Sequence, residues 1–499
     1  MPPLPNKCAT VALALALSAC ASEEDPGAGA ARTGRPNLLL ISVDSLRADH
    51  TTPYGYSPKH KPEVQTTPAL QKLADEGILF EQGVSTTCWT LPAHMALMTG
   101  LPGALHQVTD NSRRLDPALT TLAEALKAQG FRTAGFYSGP NLHPAFGFGA
   151  GFETYQNCSG KDLPKGAFEA ALTRGDNKDL VNLHKDSHSG LSSQALLDES
   201  SAWLEDAVDQ DEPFFLFVHW WDPHYDYTPP KALAKSFDPE YRGKQTGVDF
   251  LSLARSPKPR DLDHILALYD AEIRYTDNHI GELLAKLEAL NLTDDTLVVF
   301  TADHGDEFFE HGYRGHQRTL YEEAVQVPLV MRLPGVLPAG ERVEGNAGLQ
   351  DIFSTVADLL DVPMPSYEIG PSLRPLWETG DDGRQHFMEL ELAHRNVHMT
   401  SVRDGDTKVI WDHEKQRLEV FDLKADPLEQ NPRVSIGPFD EGDEFAEQRA
   451  LVAEHIARLE EQRKQLPATQ GFRADHELSA ELREELARMG YLDSDEAGE

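Results

Sequence analysis

The chain has 499 residues, 40% of them hydrophobic and 25% charged, the balance of an ordinary soluble globular protein long enough to bury a large core. Its formal net charge of −36 argues against a nucleic-acid partner and against adhesion to an anionic bilayer by electrostatics. An anionic substrate would need a locally positive pocket inside that acidic field, and bound metal ions are the usual way to make one.

At the N-terminus Lys7 precedes an apolar run, Ala9 to Leu17, too short to span a bilayer and of the length of a secretory core segment. Residues 1–19 therefore read as a signal peptide. Leu17-Ser18-Ala19-Cys20 resembles the lipobox of bacterial lipoproteins, which implies cleavage before Cys20 and acylation of its thiol. That resemblance implies an exported protein held to the cell envelope by its lipid, on the periplasmic or surface side, with Ala21 favouring the outer membrane. Residues 20–35 read as a flexible tether. Cys88 and Cys158 then remain, either paired in an oxidising compartment or buried as small hydrophobes.

Ordered sequence begins near Arg35. Asn37–Val43 is a continuous apolar run of strand length, as expected for a strand covered on both faces. Thr67-Pro68 opens a helix that Gly77 closes. A helix around Leu119–Gln129 precedes a strand at Thr133–Tyr137, helical Ser193–Val208 leads into a strand at Pro213–His219, and a long amphipathic stretch from Asp261 to Leu290 leads into Thr296–Thr301. Val327–Leu333 reads as a strand and Gln350–Leu360 as a helix. Such alternation predicts an α/β fold with a mostly parallel central sheet and helices on both faces, spanning 36–365. After the proline-rich Val362–Pro375, residues 366–435 read as a small α+β unit with an antiparallel sheet, and 436–499 as charged helices.

In a parallel sheet functional groups gather beyond the carboxyl ends of the strands. Asp44 follows the first strand directly, Asp222 and His224 follow Pro213–His219, and Asp303 and His304 follow Thr296–Thr301. Asp44, Asp303 and His304 supply two carboxylates and an imidazole, a ligand set suited to a divalent Ca, Mg, Mn or Zn ion. Asp44 and Asp303 could instead cap helix N-termini, a reading that leaves the Asp-His pair without a purpose.

Three segments together resemble the sulfatase family of the alkaline-phosphatase superfamily. Thr90-Leu-Pro92-Ala-His94-Met-Ala-Leu97-Met-Thr99-Gly100 is similar to its nucleophile signature, C/S-x-P-x-R-x-x-L-x-T-G. Ile41-Ser-Val-Asp44-Ser-Leu-Arg47-Ala-Asp49 and Phe300-Thr-Ala-Asp303-His304-Gly-Asp306-Glu307 resemble its metal-binding segments, the latter followed by Tyr321-Glu-Glu-Ala-Val-Gln-Val-Pro328. The resemblance covers residues 36–430, includes Phe421–Pro427, and implies an alkaline-phosphatase-like three-layer α/β/α sandwich. It further implies that Asp44, Asp303 and His304 hold a divalent cation with Thr90 as fourth ligand and nucleophile. Threonine stands where the family has Cys or Ser, so formylglycine is not expected.

His94 occupies the slot of the family's arginine, and Val218–His224 resembles its H-x-x-D-P-H loop, making His224 a candidate acid for the leaving oxygen. His219 reads as structural. Where the family places lysines, this chain has Gly139–Pro144 and His316. Asp222, His224 and His316 follow the order of the second-metal ligands of two-metal phosphoesterases, which implies either a second cation about 4 Å from the first or one cation with two imidazole donors. The expected activity is hydrolysis of a small anionic ester, sulfate or a chemically similar phosphate. The alternatives are a two-metal phosphoesterase or phosphotransferase and a catalytically inactive binding lipoprotein.

Overall fold

Seven consecutive buried residues, Asn37–Val43, form β1 at the centre of the main sheet. The computed structural model describes residues 34–467 apart from 112, 160–190, 249, 255–256, 381–382, 393–394 and 438–443, so the signal peptide, Cys20, the tether up to residue 33 and the expected charged helices beyond residue 467 lie outside the described residues. After β1 come α1 (Pro68–Glu76), β2 (Ile78–Val84), α2 (Thr90–Thr99), α3 (Leu122–Ala128), β3 (Arg132–Tyr137) and β4 (Thr154–Asn157). Then follow α4 (Ser193–Ala207), β5 (Phe214–Trp220), α5 (Pro259–Ala289), β6 (Thr296–Ala302), the small hairpin β7 (Glu307–Phe308) and β8 (Arg314–Gly315), β9 (Leu329–Arg332), β10 (Glu341–Gly348) and α6 (Asp351–Leu359). β2, β4 and β10 were not anticipated from the sequence; β4 is only four residues long and β10 is polar and glycine-bearing, so neither shows the apolar run of a central strand.

The main sheet has the order β10-β2-β9-β6-β1-β5-β3-β4. Its pairings are parallel except at β9, which runs antiparallel to both β2 and β6. Every residue of β1, β5 and β6 is buried, as a strand covered on both faces requires. α1, α4 and α5 pack together as one helical layer; α2 packs with α3 and α6 in the other. All ten residues of α2 are buried, and an apolar helix without a wet face belongs in a core. Gly100 ends α2 at φ +70°, with Ile369 so close that a side chain there would meet it at 3.0 Å.

A second, antiparallel sheet follows: β11 (His386–Leu392), β12 (Val397–Asp404), β13 (Thr407–Asp412), β14 (Arg417–Asp422) and β15 (Arg433–Ile436), paired in chain order. Phe387, Val402, Val409, Trp411, Leu418 and Val420 give it an apolar face, covered by Phe445 and Val452 at and within α7 (Ala446–Arg463). Lys408, fully buried, bridges Glu322 (2.8 Å) and Glu429 (2.9 Å), and Arg403 reaches Glu322 at 2.6 Å. These pairs tie the second sheet to the segment leading into β9. Among the described residues no helix is long and apolar enough to cross a membrane.

Register decides where the polar residues emerge. Val43 of β1 stands level with Trp220 of β5 and with Ala302 of β6. The residues next in sequence, Asp44, Trp221-Asp222 and Asp303, therefore leave the sheet along one edge, and the α2 N-terminus comes to the same edge.

Candidate active site

Asp44 leaves β1 into a turn where Ser45 takes φ +55°, a left-handed conformation costly for a non-glycine residue and typical of functional turns. That turn lets Ser45 bind both carboxylates: its Oγ donates to Asp44 Oδ1 (3.0 Å) and its N–H donates to Asp303 Oδ1 (3.1 Å). Asp303 Oδ1 also receives the His304 N–H at 2.9 Å, while Asp303 Oδ2 has no hydrogen-bond partner. His304 Nδ1 faces the Gly305 carbonyl at 3.0 Å, so Nδ1 carries the proton and Nε2 presents its lone pair. Nε2 lies 3.4 Å from Asp303 Oδ2 and 3.6 Å from Asp44 Oδ1.

Thr90, first residue of α2, brings its hydroxyl to this group: Oγ1 is 3.3 Å from both Asp44 Oδ2 and His304 Nε2. All four side chains are buried. Burial pushes Asp44 up to about 7, against the attraction of His304; burial and then the neighbouring Asp44 charge push Asp303 up to about 7. No lysine or arginine is hydrogen-bonded or ion-paired to either carboxylate among the described residues. An orphaned buried carboxylate oxygen beside oxygen and imidazole donors fits a divalent cation, and Asp44, Asp303 and His304 are close enough to share one.

His94 lies behind Thr90. Its Nδ1 meets the Thr90 carbonyl at 3.0 Å, so that nitrogen donates, and its Nε2 meets Ser42 Oγ at 2.8 Å. Burial, then the neighbouring His219, lowers His94 to about 3, so it contributes shape and hydrogen bonds rather than charge. His219 shares the Ser42 hydroxyl (3.3 Å) and puts Nε2 3.4 Å from Asp44 Oδ2, closer to the chemistry than its place inside an apolar strand suggested.

His316 and His224 complete the cluster. The His316 ring centroid is 4.5 Å from that of His304 and 5.1 Å from that of His224, which stacks on Trp221 at 3.8 Å. Asp222 is directed elsewhere. Its carboxylate accepts from the backbone N–H groups of Ser192 and Ser193 (3.0 Å each) and from Ser193 Oγ (2.6 Å), at the start of α4. The structure thus does not assemble the expected set of Asp222, His224 and His316: the open N–H groups of a helix start captured the aspartate. Asp306 stands beside His304 and His316 in its place. Its position two residues after His304 was visible in the sequence; Ser42 and Ser45 lay inside a segment already singled out but were given no task, and Tyr227 carried no signal.

Cys88 and Cys158 are both free and buried. Burial, then the nearby Glu307, pushes the Cys88 thiol up to about 12, so it stays protonated and unreactive, two residues before Thr90.

Residues 36–362 match the family model described as Sulfatase, and residues 309–443 match one described as N-sulphoglucosamine sulphohydrolase, C-terminal. The chain is 25% identical to the N-acetylglucosamine-6-O-sulfatase of Bacteroides thetaiotaomicron, over 84% of this chain and 85% of that protein. It is 26% identical to the multifunctional alkaline phosphatase superfamily protein PehA of Trinickia caryophylli, over 79% of this chain and 90% of that one. The solved phosphonate monoester hydrolase of Agrobacterium radiobacter shares the fold, with a TM-score of 0.65 at 24% identity over 86% of this chain and 96% of the other.

Proposed function

The chain belongs to the sulfatase family, and on that premise we propose that it hydrolyses a small anionic ester, a sulfate ester or a chemically similar phosphate ester, with Thr90 as nucleophile. One observation carries the reading: the Thr90 hydroxyl stands 3.3 Å from Asp44 and from His304, two members of a ligand set suited to one divalent cation. A Ca, Mg, Mn or Zn ion held there supplies a lowered pKa for the neighbouring hydroxyl and neutralises a non-bridging oxygen of the ester. The chain's own residues do the rest. α2 delivers Thr90 at its first turn, the Ser45 N–H and hydroxyl hold the two carboxylates in place, and His94 fixes the Thr90 backbone through its carbonyl. His224 and His316 flank the cluster as proton carriers for the leaving oxygen.

The nucleophile favours phosphate within this pair. A threonine ester has no elimination route back to the free enzyme, so water must displace the group from sulfur or phosphorus. The missing lysines point the same way. The net charge of −36 argues against nucleic acid as substrate. Leu17–Cys20 supports export of the protein and anchoring through a lipid on Cys20 at the cell envelope.

Purified residues 36–499 with defined metals, assayed on aryl sulfate, phosphate monoester and phosphodiester, test the proposal. Thr90→Ala is expected to remove at least a hundredfold of kcat on the preferred ester. Activity that survives Thr90→Ala, or formylglycine found at position 88 by mass spectrometry, would overturn the assignment.

A further inference from the structure

His304, Asp306 and His316 are near enough to one another to hold a metal ion of their own. The hydrogen bonds around Asp306 point to a different task. Asp306 Oδ1 is 2.8 Å from His316 Nδ1, and Asp306 Oδ2 accepts from the Tyr227 hydroxyl at 2.7 Å. Asp306 thus turns one oxygen to each of these side chains, while His304 Nε2 is turned to Asp44 and Asp303. We infer that Asp306 is a positioning residue rather than a cation ligand: with Tyr227 it holds His316 with Nδ1 protonated, so that Nε2 is the nitrogen that passes a proton to the leaving oxygen.

The supports of this arrangement are buried and closely packed. The Tyr227 ring is fully buried and packs at 5.0 Å from Phe250, 5.2 Å from Tyr269 and 5.5 Å from Phe308, which fixes its hydroxyl on the carboxylate. The Asp306 carbonyl is held from the other side by the Arg47 guanidinium (3.1 Å), itself paired to Asp49 and Glu310. Tyr225 stacks on the His316 ring at 5.1 Å, and Gly315, at φ +69°, leaves room for Tyr225, which a side chain there would meet at 3.2 Å. A carboxylate fixed on Nδ1 sets the tautomer and stabilises the imidazolium, as oriented histidines require. In the step itself Thr90 Oγ1 gives its proton to Asp44 Oδ2, toward which it points at 3.3 Å, and bonds to sulfur or phosphorus as the bond to the ester oxygen breaks; that oxygen keeps the electron pair and takes the proton from His316 Nε2. Water then resolves the Thr90 ester, giving one proton to the neutral His316, while the Thr90 oxygen recovers its own from Asp44.

This assignment rests on the ester-cleavage reading, and three measurements on Asp306→Asn, Tyr227→Phe and the wild type keep the two apart. Manganese content by mass spectrometry is expected to be equal in wild type and Asp306→Asn; loss of a metal equivalent would make Asp306 a ligand and overturn the inference. Nitrogen NMR of labelled histidine is expected to show His316 protonated at Nδ1 in the wild type and altered in both variants; an unaltered His316 signal would overturn it. Kcat on phenyl and 4-nitrophenyl esters is expected to fall about ten- to a hundredfold more on the phenyl ester, whose leaving group needs the proton more. Equal losses on both esters would overturn it. A wild type that cleaves neither ester sinks the ester-cleavage reading, while metal content and NMR still decide what Asp306 does.

Discussion

The Ser193 hydroxyl donates to Asp222 Oδ2 at 2.6 Å, so the carboxylate of Asp222 organises the start of α4. Two backbone N–H groups at 3.0 Å complete its coordination, and each would be a buried, unsatisfied donor without it. Asp222→Ala is therefore expected to cost about 2–3 kcal/mol in denaturant unfolding. Manganese content of the variant should equal that of the wild type; a lost equivalent would return Asp222 to the cation ligands.

The slot of His94 is closed. The side chain is wholly buried, with the His219 ring at 4.5 Å and the Phe217 ring at 6.2 Å. Restoring the family's arginine by His94→Arg is expected to destabilise the fold by about 1–3 kcal/mol through overpacking. His94→Asn should fold but lower kcat roughly tenfold, because the Thr90 carbonyl and Ser42 lose their shared partner. Unfolding midpoints and steady-state rates measure the two effects separately.

His311 and His386 make contributions to stability with opposite pH dependence. Burial alone would lower the pKa of His311, but its 2.6 Å pair with Glu323 outweighs this and raises it to about 9. A raised histidine stabilises fully below its unfolded pKa near 6.5, and that contribution disappears as pH rises through 9. Burial lowers His386 to about 4, so the unfolded chain binds its proton first and stability is lost as pH falls from 6.5 towards 4. Melting temperatures from pH 4 to pH 10 for the wild type, Glu323→Gln and His386→Gln check both: the first variant should lose the alkaline dependence from His311, the second the acid dependence from His386.

Divalent cations should raise the melting temperature. Asp44 and Asp303, both pushed up to about 7, place two carboxylates in one buried cluster with His304. A cation that binds only the folded protein at a hundred times its Kd adds about 2.7 kcal/mol, a shift of a few degrees for a protein of this size. The increase should be reversed by chelation and absent in Asp303→Asn. Calorimetry with manganese tests both.

Lipid attachment at Cys20 is expected to follow from the Leu17–Cys20 segment. Full-length protein expressed in bacteria with labelled palmitate should carry the label, and Cys20→Ser should not. A labelled Cys20→Ser protein would refute the anchor.

Much of this protein is written locally. Apolar runs with helical stretches between them located β1, β5 and β6 because a doubly covered strand must be apolar throughout, and Asp44, Asp303 and His304 stood out because they directly follow such runs. Thr90 was singled out by resemblance, Pro92, Leu97, Thr99 and Gly100 aligning it with the nucleophile slot of the family signature. Where each carboxylate points was not legible. Asp222 and Asp306 both follow strand ends, yet one caps a helix and the other clamps a histidine. That choice depends on which donors the packed helices and loops bring within 3 Å, on Ser192 and Ser193, 30 and 29 positions before Asp222, and on Tyr227 far before Asp306. The pattern of apolar residues determines the edge at which chemistry gathers, while hydrogen-bond partners distant in sequence assign each side chain its task, because short-range directional bonds form only after the long-range packing is complete.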